Sequence, residues 1–500
     1  MKGNFLLAID QGTSSSRSVV YDHGARVVAA SQQEFAQIYP QPGWVEHDPE
    51  AIWSSVRETL AGALKKAAIT AAEITAIGIT NQRETTVVWD RRTGQCVHNA
   101  IVWQDRRTAD YCDSLKRAGK EASVAEKTGL RLDPYFSATK IAWILDSVAG
   151  VRTLAEQGHL AFGTIDSFLL WRLTGGAVHA TDATNASRTL LFNIHTQDWD
   201  DELLDLFDIP RSLLPDVRDC AADFGETESS LLGASIPICG VAGDQQAALI
   251  GQAGFEYGTT KSTYGTGCFV MANTGDKVLQ SSNQLLTTVG MRINGEVSYA
   301  LEGSVFVAGS AIQWLRDGLG IINTAAETED IARRSGIVRD VYVIPAFAGL
   351  GAPYWDAHAR GAIVGLTRGS GRDAIVTATL QAIAYQTVDL IRAMSDDGLS
   401  PNVIRVDGGM VANSWFLQFL ADVLNVRIER PENVESTVLG AAYLAALQAG
   451  VTDSVDNIAD LWSCDAVFEP QMRADQRDAL LDGWAAAVAR VRGENGAGIA

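Results

Sequence analysis

Short apolar runs separated by polar turns recur along the first part of the chain and predict β-strands. Residues 5–9 form one such run and residues 18–21 another, and a turn made of Gly, Thr and Ser joins them. Residues 74–79 and 85–89 are two more runs of strand length, in which Ile, Thr and Val are frequent. The pattern predicts that the chain opens on a β-hairpin and continues into further strands.

Longer stretches between and after these runs predict helices. Residues 49–66 carry apolar residues at helical spacing and follow Asp48, a suitable N-cap. Apolar positions also recur three and four apart over about 373–395, and a third helix is expected over 436–449, where Gly450 ends it. Strands thus alternate with helices through most of the chain, which predicts the α/β fold class. The last residues, "RGENGAGIA", predict a frayed tail.

A second turn of the opening kind lies in the middle of the chain. The segment "STYGTGCFVMANTG", residues 262–275, again places Thr and Gly at a turn before an apolar strand. Two such hairpins predict two related halves, and a chain of 500 residues exceeds what one hydrophobic core holds. We place the boundary in the glycine-rich segment "GQAGFEYG", which predicts one domain at residues 1–252 and another at 253–500.

Composition and charge argue against several classes of protein, namely nucleic-acid-binding, membrane, zinc-binding and secreted proteins. The net charge of −20 argues against nucleic acid and against an anionic membrane surface as the main partner. The 6 cysteines are scattered without a CxxC motif, which predicts reduced thiols and no zinc site. The chain begins directly with a strand rather than a signal peptide, and no apolar run approaches the ~20 residues of a membrane span. We therefore expect a cytoplasmic protein with no integral membrane segment.

Asp10 and the turn that follows it are the first candidate site. A turn rich in Gly, Thr and Ser offers backbone N–H groups and hydroxyls to a phosphate, and an acid at the end of the preceding strand can hold Mg²⁺. The alternative is a surface hairpin with solvated hydroxyls. The sequence contains no P-loop and no protein-kinase glycine-rich loop. A nucleotide site here would therefore belong to the actin-like class, in which two hairpins face each other across a cleft.

Three further stretches place polar residues where strands are expected to end. "GVAGDQQAALIG" puts Asp244 between a strand and a helix, and "RVDGGMVANSWFLQ" repeats that geometry with two glycines. "ITNQRETTVVWD" sets Arg83 beside Glu84 between two strands. Each stretch alone is also explained by a helix cap, a tight turn or a surface ion pair. Together with the hairpins, they favour a nucleotide cleft with a polar acceptor pocket.

These motifs resemble the FGGY family of carbohydrate kinases. The resemblance runs from about residue 5 to about residue 490 and includes long blocks in the family's order, among them "DQGTSSSRSVVYD", "GWVEHDPEAIW" and "LDPYFSATKIAWIL". It implies two actin-like (ribonuclease-H-like) ATPase domains with a cleft between them, and ATP and Mg²⁺ as cofactors. The acceptor blocks "NQRET" and "LDPYF" resemble the corresponding blocks of those family members that phosphorylate glycerol to sn-glycerol 3-phosphate in glycerol breakdown.

The resemblance also implies roles for individual residues where the motifs match. Asp10 and Asp244 would lie on the Mg²⁺ side, and Asp244 would accept the proton of the attacking hydroxyl. The residues implied to contact the nucleotide are Thr13, Ser14, Ser15, Arg17, Thr266, Gly309, Gln313, Gly409 and Asn413. The residues implied to hold glycerol are Arg83, Glu84, Trp103, Tyr135, Asp244, Gln245 and Phe269. Without the resemblance, Trp103 is equally well explained as an ordinary core residue.

Elementary chemistry supports an acceptor pocket of this composition. Glycerol carries a hydroxyl on every carbon and has almost no apolar area, so a site that binds it needs paired donors and acceptors. An Arg–Glu pair with Tyr, Asp and Gln supplies them, and such a site rejects analogues that lack a hydroxyl. Phosphoryl transfer itself depends on positioning and charge stabilisation more than on covalent chemistry by the protein.

Two other functions are compatible with parts of the sequence. Another sugar or polyol kinase of the same fold would share the phosphate hairpins, and only the acceptor blocks favour glycerol over its substrates. An actin-like ATPase that serves as a chaperone, filament subunit or scaffold would need no polar acceptor pocket. The family resemblance further implies a homodimer or homotetramer.

Overall fold

The computed structural model describes residues 3–347, 349–356 and 358–492 of the chain. The predicted frayed tail falls on residues 492–500, and all of it except Arg492 lies outside the described residues.

The first half is built on a sheet of five strands in the order β13-β5-β1-β2-β3. Strands β1, β5 and β13 are parallel, whereas β2 and β3 continue the sheet as antiparallel neighbours. The strands of this half are β1 Phe5–Gln11, β2 Ser15–Asp22, β3 Val27–Glu34, β4 Glu46–His47, β5 Ile74–Asn81, β6 Val87–Asp90, β7 Ala100–Ile101, β8 Leu160–Gly163, β9 Ala180–Asp182, β10 Phe192–Asn193, β11 Asp198–Trp199, β12 Asp216–Arg218 and β13 Ile238–Gly243. Its helices are α1 Pro49–Ala67, α2 Ala109–Arg117, α3 Glu121–Thr128, α4 Ser137–Ser147, α5 Val151–Glu156, α6 Ile165–Leu173, α7 Ala183–Ala186, α8 Asp201–Phe207, α9 Ser229–Leu232 and α10 Asp244–Gly251.

The second half is built on a sheet of seven strands in the order β16-β17-β15-β14-β20-β21-β22. Its strands are β14 Thr260–Tyr264, β15 Cys268–Gly275, β16 Leu286–Ile293, β17 Glu296–Val305, β18 Tyr342–Ile344, β19 Ala362–Val364, β20 Val403–Asp407, β21 Arg427–Pro431 and β22 Cys464–Phe468. Its helices are α11 Gly309–Gln313, α12 Glu327–Ser335, α13 Arg372–Asp396, α14 Ser414–Leu424, α15 Ser436–Gln448, α16 Val455–Ala459 and α17 Ala474–Val491.

The two sheets repeat one topology, which confirms the prediction of two related halves of actin-like fold. In the first half the hairpin β1–β2 is extended by antiparallel β3, and β1 is flanked on its other side by parallel β5 and β13. In the second half the hairpin β14–β15 is extended by antiparallel β17, and β14 is flanked by parallel β20 and β21. Each half thus presents a hairpin turn and the carboxyl ends of parallel strands at one sheet edge.

Most predicted elements occur within a few residues of their expected bounds. Helix α1 begins at Pro49, and the side chain of Asp48 accepts a hydrogen bond from the backbone N–H of Glu50 as an N-cap. The strand expected at 85–89 starts later, at Val87, because residues 82–86 form the turn that carries Arg83.

Helix α13 is buried more completely than its sequence pattern predicts. The periodicity indicated one apolar stripe, but most of its 25 residues are buried, including Thr377, Gln381 and Thr387. By length and mean hydropathy this helix would suffice to cross a membrane, contrary to the expectation that no such run exists; 83% of its apolar window is buried inside the fold. Burial of that kind is typical of the central helix of a hydrophobic core.

The halves meet where α10 and α15 cross at very short distance. Helix α15 belongs to the second half but packs against β1, β5 and β13 of the first. A Cβ atom on Gly440 would lie 1.9 Å from the carbonyl oxygen of Ala247, and one on Gly251 would lie 2.0 Å from that of Ser436. Only glycine allows two helix backbones to approach this closely, so these two positions fix the crossing.

We expect Gly440→Ala to destabilise the protein, because the new methyl group meets backbone atoms that cannot rotate away. The expected loss is about 1–3 kcal/mol, measured as a lower midpoint of thermal unfolding. Gly369→Ala is the matched control, since a Cβ there meets only Thr367 Oγ1, at an ordinary contact distance of 3.8 Å. Equal midpoints for Gly440→Ala and the control would contradict the close crossing.

Candidate functional site

Two carboxylates face each other at the carboxyl edge of the first sheet. Asp10 lies near the end of β1 and Asp244 begins α10 directly after β13, with β5 between the two strands. Two strand spacings separate them by roughly 10 Å of backbone. Burial, together with the nearby charge of Asp244, raises the pKa of Asp10 to about 7. Burial also raises the pKa of Asp244, although Arg83 and Lys261 counteract it.

This pair of acids fits Mg²⁺. Mg²⁺ prefers oxygen ligands, usually keeps several waters, and is held by one or two carboxylates together with substrate phosphates. A cation between Asp10 and Asp244 would relieve the repulsion that raises the pKa of Asp10. Among the described residues, no group of three or more His, Cys, Asp or Glu could enclose a metal ion without such help.

The turn between β1 and β2 is held in shape from behind by buried polar side chains. The Gln37 amide donates to the carbonyl of Thr13 at 3.0 Å, and the Gln82 amide donates to the carbonyl of Gly12 at 3.2 Å. His47 joins both, because its Nε2 lies 2.6 Å from Gln37 Oε1 and its Nδ1 lies 3.3 Å from Gln82 Nε2. Thr13, Ser14 and Ser15, predicted to contact phosphate, are consequently displayed on a supported turn.

Arg83 lies at the centre of the cleft and is almost completely buried. Its Nη1 donates to Glu302 Oε2 at 2.5 Å and to Gln246 Oε1 at 3.2 Å, and its Nη2 donates to Glu302 Oε1 at 3.1 Å. Its Nε lies 3.2 Å from Asp244 Oδ1. Sequence analysis named Arg83 and Glu84 as acceptor residues, which stays a prediction, but it did not name Glu302, which comes from β17 in the second half.

Glu84 adopts an unusual backbone conformation that its neighbours hold in place. Its φ is 58°, in the left-handed region that few residues other than glycine occupy, at a cost of order 1–3 kcal/mol. The Ser137 hydroxyl donates to its carbonyl at 3.0 Å, and Arg188 Nε donates to its carboxylate at 2.7 Å. The hydrogen bond from Arg188 thereby fixes the orientation of the Glu84 carboxylate. Burial raises the pKa of Glu84 in spite of Arg188 and Arg83.

Three aromatic rings gather beside these charges. The Trp103 ring lies 5.7 Å from the Tyr135 ring and 6.4 Å from the Phe269 ring, both edge to face. Phe269 belongs to β15, so the wall is assembled from both halves. The indole N–H of Trp103 donates to Thr13 Oγ1 at 2.9 Å, which ties the aromatic wall to the turn after β1. Trp103 is therefore a half-buried cleft residue with its own hydrogen-bond partner rather than ordinary core.

Lys261 on β14 is a buried cleft cation that the sequence did not predict. Its ammonium group donates to the side-chain oxygen of Gln245, and to Thr263 Oγ1 at 2.9 Å. Burial lowers the pKa of Lys261, and the carboxylates of Asp407 and Asp244 oppose that shift. Gln245 is thus oriented from the second half, although it lies in the first turn of α10, the helix that follows β13.

A separate cavity of about 430 Å³ opens in the second half, beside the turn between β14 and β15. The structure brings together here the predicted nucleotide contacts Thr266, Gly309, Gln313, Gly409 and Asn413, all of which line the cavity. Apolar neighbours such as Ile312, Leu380 and Met410 complete its wall. Arg17 does not line this cavity; its guanidinium pairs with Glu435, immediately before α15, and its contact with the nucleotide stays a prediction.

Two residues that sequence analysis missed carry charge within strands of the second half. Glu302 interrupts the apolar run "YALEGSVFV", and Lys261 lies within β14, most of which is buried. A charge in a strand of that kind is a signal of function, since charged side chains are rarely buried without a partner. Arg188, in the turn after α7, has no comparable local signal.

Comparison with known proteins shows the family to which the chain belongs. The FGGY family of carbohydrate kinases matches the chain twice, with its N-terminal domain at residues 5–251 and its C-terminal domain at residues 260–449. The chain belongs to the FGGY family of carbohydrate kinases. The predicted domain boundary at 252/253 lies between the two matched stretches and stays a prediction.

Relatives within the FGGY family match over nearly the whole chain. "Glycerol kinase 1" of Pseudomonas aeruginosa is 60% identical over 98% of this chain and 99% of its own length, and "Glycerol kinase" of Rhodospirillum centenum is 59% identical over 97% and 98%. A crystal structure of Plasmodium falciparum glycerol kinase with ADP superposes with a TM-score of 0.92 at 38% identity, covering 98% of both chains. A gluconate kinase from Lactobacillus acidophilus, 23% identical with a TM-score of 0.87, shares the fold.

We expect His47 to make the stability of this kinase depend on pH. Burial lowers the pKa of His47 to about 4, whereas an unfolded histidine titrates near 6.5. The unfolded chain therefore binds the proton more readily, and stability falls as the pH drops below about 6.5, by about 2 kcal/mol at pH 5. The thermal midpoint of the wild type should fall more between pH 7.5 and pH 5 than that of His47→Gln. Parallel shifts in the two proteins would contradict this role.

Proposed function

We propose that this FGGY kinase transfers the γ-phosphoryl group of ATP to glycerol and forms sn-glycerol 3-phosphate. Support comes from relatives named glycerol kinase that are about 60% identical over nearly the full chain. The observation that carries the proposal is the composition of the acceptor pocket. Arg83, Glu84, Asp244 and Gln245 surround it with donors and acceptors, and the aromatic wall bounds it.

The arrangement of these groups suits a small polyol. Hydroxyls of glycerol can donate to the carboxylates of Glu84 and Asp244 and accept from Arg83, whereas the C–H face of the molecule packs on Trp103 and Phe269. Because Arg83 and Glu84 are almost fully buried, an acceptor that lacks one hydroxyl would leave a buried donor or acceptor atom of these groups without a hydrogen bond. The pocket therefore selects by hydrogen bonding rather than by apolar area.

The phosphate donor is assigned to the second half and the two hairpin turns. We place the adenosine part of ATP in the cavity that Thr266, Gly309, Gln313, Gly409 and Asn413 line. Its phosphates would reach toward the supported turn that carries Thr13, Ser14 and Ser15. Mg²⁺, held on the side of Asp10 and Asp244, would neutralise charge on the phosphate oxygens.

Asp244 is assigned as the proton acceptor. Its side chain is 31% exposed to the cleft, whereas Glu84 and Glu302 are buried in ion pairs. A raised pKa brings a carboxylate closer to the operating pH and makes it a better general base. Arg83 Nε, 3.2 Å away, holds the carboxylate in place. Enclosure of the acceptor between the halves would also limit attack by water.

The proposal extends to the compartment and the assembly of the protein. The structure contains 6 free cysteines, which suits the reducing cytoplasm. A homodimer or homotetramer follows from the family resemblance alone. The charged acceptor pocket argues against a chaperone or scaffold ATPase, because neither role requires a pocket for a small polar acceptor.

A substrate panel tests the proposal. With ATP and Mg²⁺, ADP release measured by a coupled assay should require an acceptor, and glycerol should give the highest kcat/KM among glycerol, dihydroxyacetone, erythritol and pentuloses. A preference for a pentulose would make the protein a different carbohydrate kinase. ADP release that is indifferent to every acceptor would indicate an ATPase.

The role of Asp244 is tested by Asp244→Asn, which keeps the size of the side chain but removes the base. We expect kcat to fall about 10²-fold or more. Asp216→Asn is the matched control, since that carboxylate begins β12 with 81% of its side chain exposed. Near-normal turnover of Asp244→Asn would refute the assignment.

A further inference from the structure

Glu302 occupies a place that the proposed chemistry does not explain. It lies on β17 of the second half, paired across the sheet with Met271 and Leu286, yet its carboxylate contacts two arginines of the first half. Arg83 reaches it with both terminal nitrogens, at 2.5 and 3.1 Å, and Arg188 Nη2 donates to its Oε1 at 2.9 Å. All three side chains are at most 2% exposed.

We propose that Glu302 is a positioning residue for the acceptor: it sets the orientation of Arg83 and thereby makes glycerol binding depend on the second half. The inference rests on the proposed function, because it assigns to Arg83 the role of a glycerol ligand. Glu302 itself lies behind the guanidinium and acts on glycerol only through it.

The geometry of the Arg83–Glu302 pair indicates that Glu302 orients the Arg83 guanidinium and does not only balance its charge. A guanidinium is planar, and a carboxylate that accepts from both terminal nitrogens fixes the plane as well as the position. The hydrogen bonds to Glu302 and Gln246 use three of the five N–H donors of Arg83 and leave Nε facing Asp244. A single point charge near Arg83 would neutralise it without selecting this orientation.

Arg188 completes a buried group that is neutral as a whole. Its Nε donates to Glu84 and its Nη2 donates to Glu302, so two acids alternate with two arginines. Burial would by itself raise the pKa of Glu302, but Arg188 and Arg83 lower it to about 2. Glu302 consequently stays ionised at every pH at which the enzyme would work, and the orientation of Arg83 does not vary with pH.

Contacts around β17 show why the second half can act as a rigid support. The hydroxyl of Tyr299 on the same strand donates to the carbonyl of Ile194 at 2.7 Å, and Ser187 Oγ lies 2.9 Å from Thr288 Oγ1 on β16. Both contacts cross between the halves close to Arg188. The position of Glu302 is thus defined against the first half, and a displacement of β17 would move Arg83 with it.

The test separates orientation from charge balance with four proteins: the wild type, Arg188→Met, Arg188→Met with Glu302→Gln, and Glu302→Asp. The double variant keeps Arg83 and Glu84 as a neutral pair, so it avoids the unpaired cation that Glu302→Gln alone would leave. KM for glycerol, KM for ATP and the thermal midpoint are measured for each. Glu429→Gln, which removes the ion pairs of β21 residue Glu429 with Arg405 and Arg427, is the control and should leave both KM values unchanged.

We expect KM for glycerol to be about tenfold or more higher in the double variant than in Arg188→Met, because hydrogen bonds to a charged group are lost. KM for ATP should change less than about twofold. Glu302→Asp keeps the charge, but its side chain is one methylene shorter and does not reach Arg83 in the same position, so it should also raise KM for glycerol.

Equal KM for glycerol in Arg188→Met and the double variant would overturn the inference and leave Glu302 a structural residue. A parallel rise of both KM values would do the same, since it would indicate general damage to the cleft. If the wild type itself does not phosphorylate glycerol, the proposed function fails, and that result is distinct from a failure of the variants to separate.

Discussion

The requirement that buried charges be paired determines the arrangement of this cleft. Four charged side chains are almost wholly removed from water: Arg83, Arg188, Glu84 and Glu302. Each of the two arginines contacts both acids. An isolated charge at such a depth would be prohibitively costly, and removal of one partner of a buried pair is strongly destabilising. Because Glu302 belongs to the other sheet, the four charges are satisfied only when the halves are docked. The acceptor pocket is therefore a product of the whole chain.

The repeated topology places the remaining groups around this cluster. Each half contributes a hairpin turn and the carboxyl edge of its parallel strands, and the glycine-dependent crossing of α10 and α15 brings the two edges together. Most of the proposed acceptor groups lie on the first half, and the cavity proposed for the nucleotide lies in the second. The hydrogen bond from Trp103 to Thr13 connects the proposed acceptor pocket to the turn after β1. The hydrogen bond from Lys261 to Gln245 connects the pocket to the second sheet.

Local sequence patterns predicted the elements and the residues that end them, but not the partners that those residues find. Asp244 after its strand and Arg83 beside Glu84 could be recognised because a strand-to-helix junction and a turn are local features. Glu302 and Arg188 could not be paired with them, since 219 residues separate Arg83 from Glu302 and no periodicity encodes that contact. For the same reason the sequence of α13 showed one apolar stripe although most of its 25 residues are buried, and the ion pair of Arg17 with Glu435 could not be predicted.

A double-mutant cycle on Arg83 and Glu302 tests the dependence of the pocket on the second half most directly. The measured quantity is kcat/KM for glycerol in the wild type, Arg83→Gln, Glu302→Gln and the protein with both changes. If Glu302 acts through Arg83, Glu302→Gln lowers kcat/KM about tenfold or more in the wild-type background and less than about twofold when Arg83 is already Gln. The same loss in both backgrounds would contradict the account.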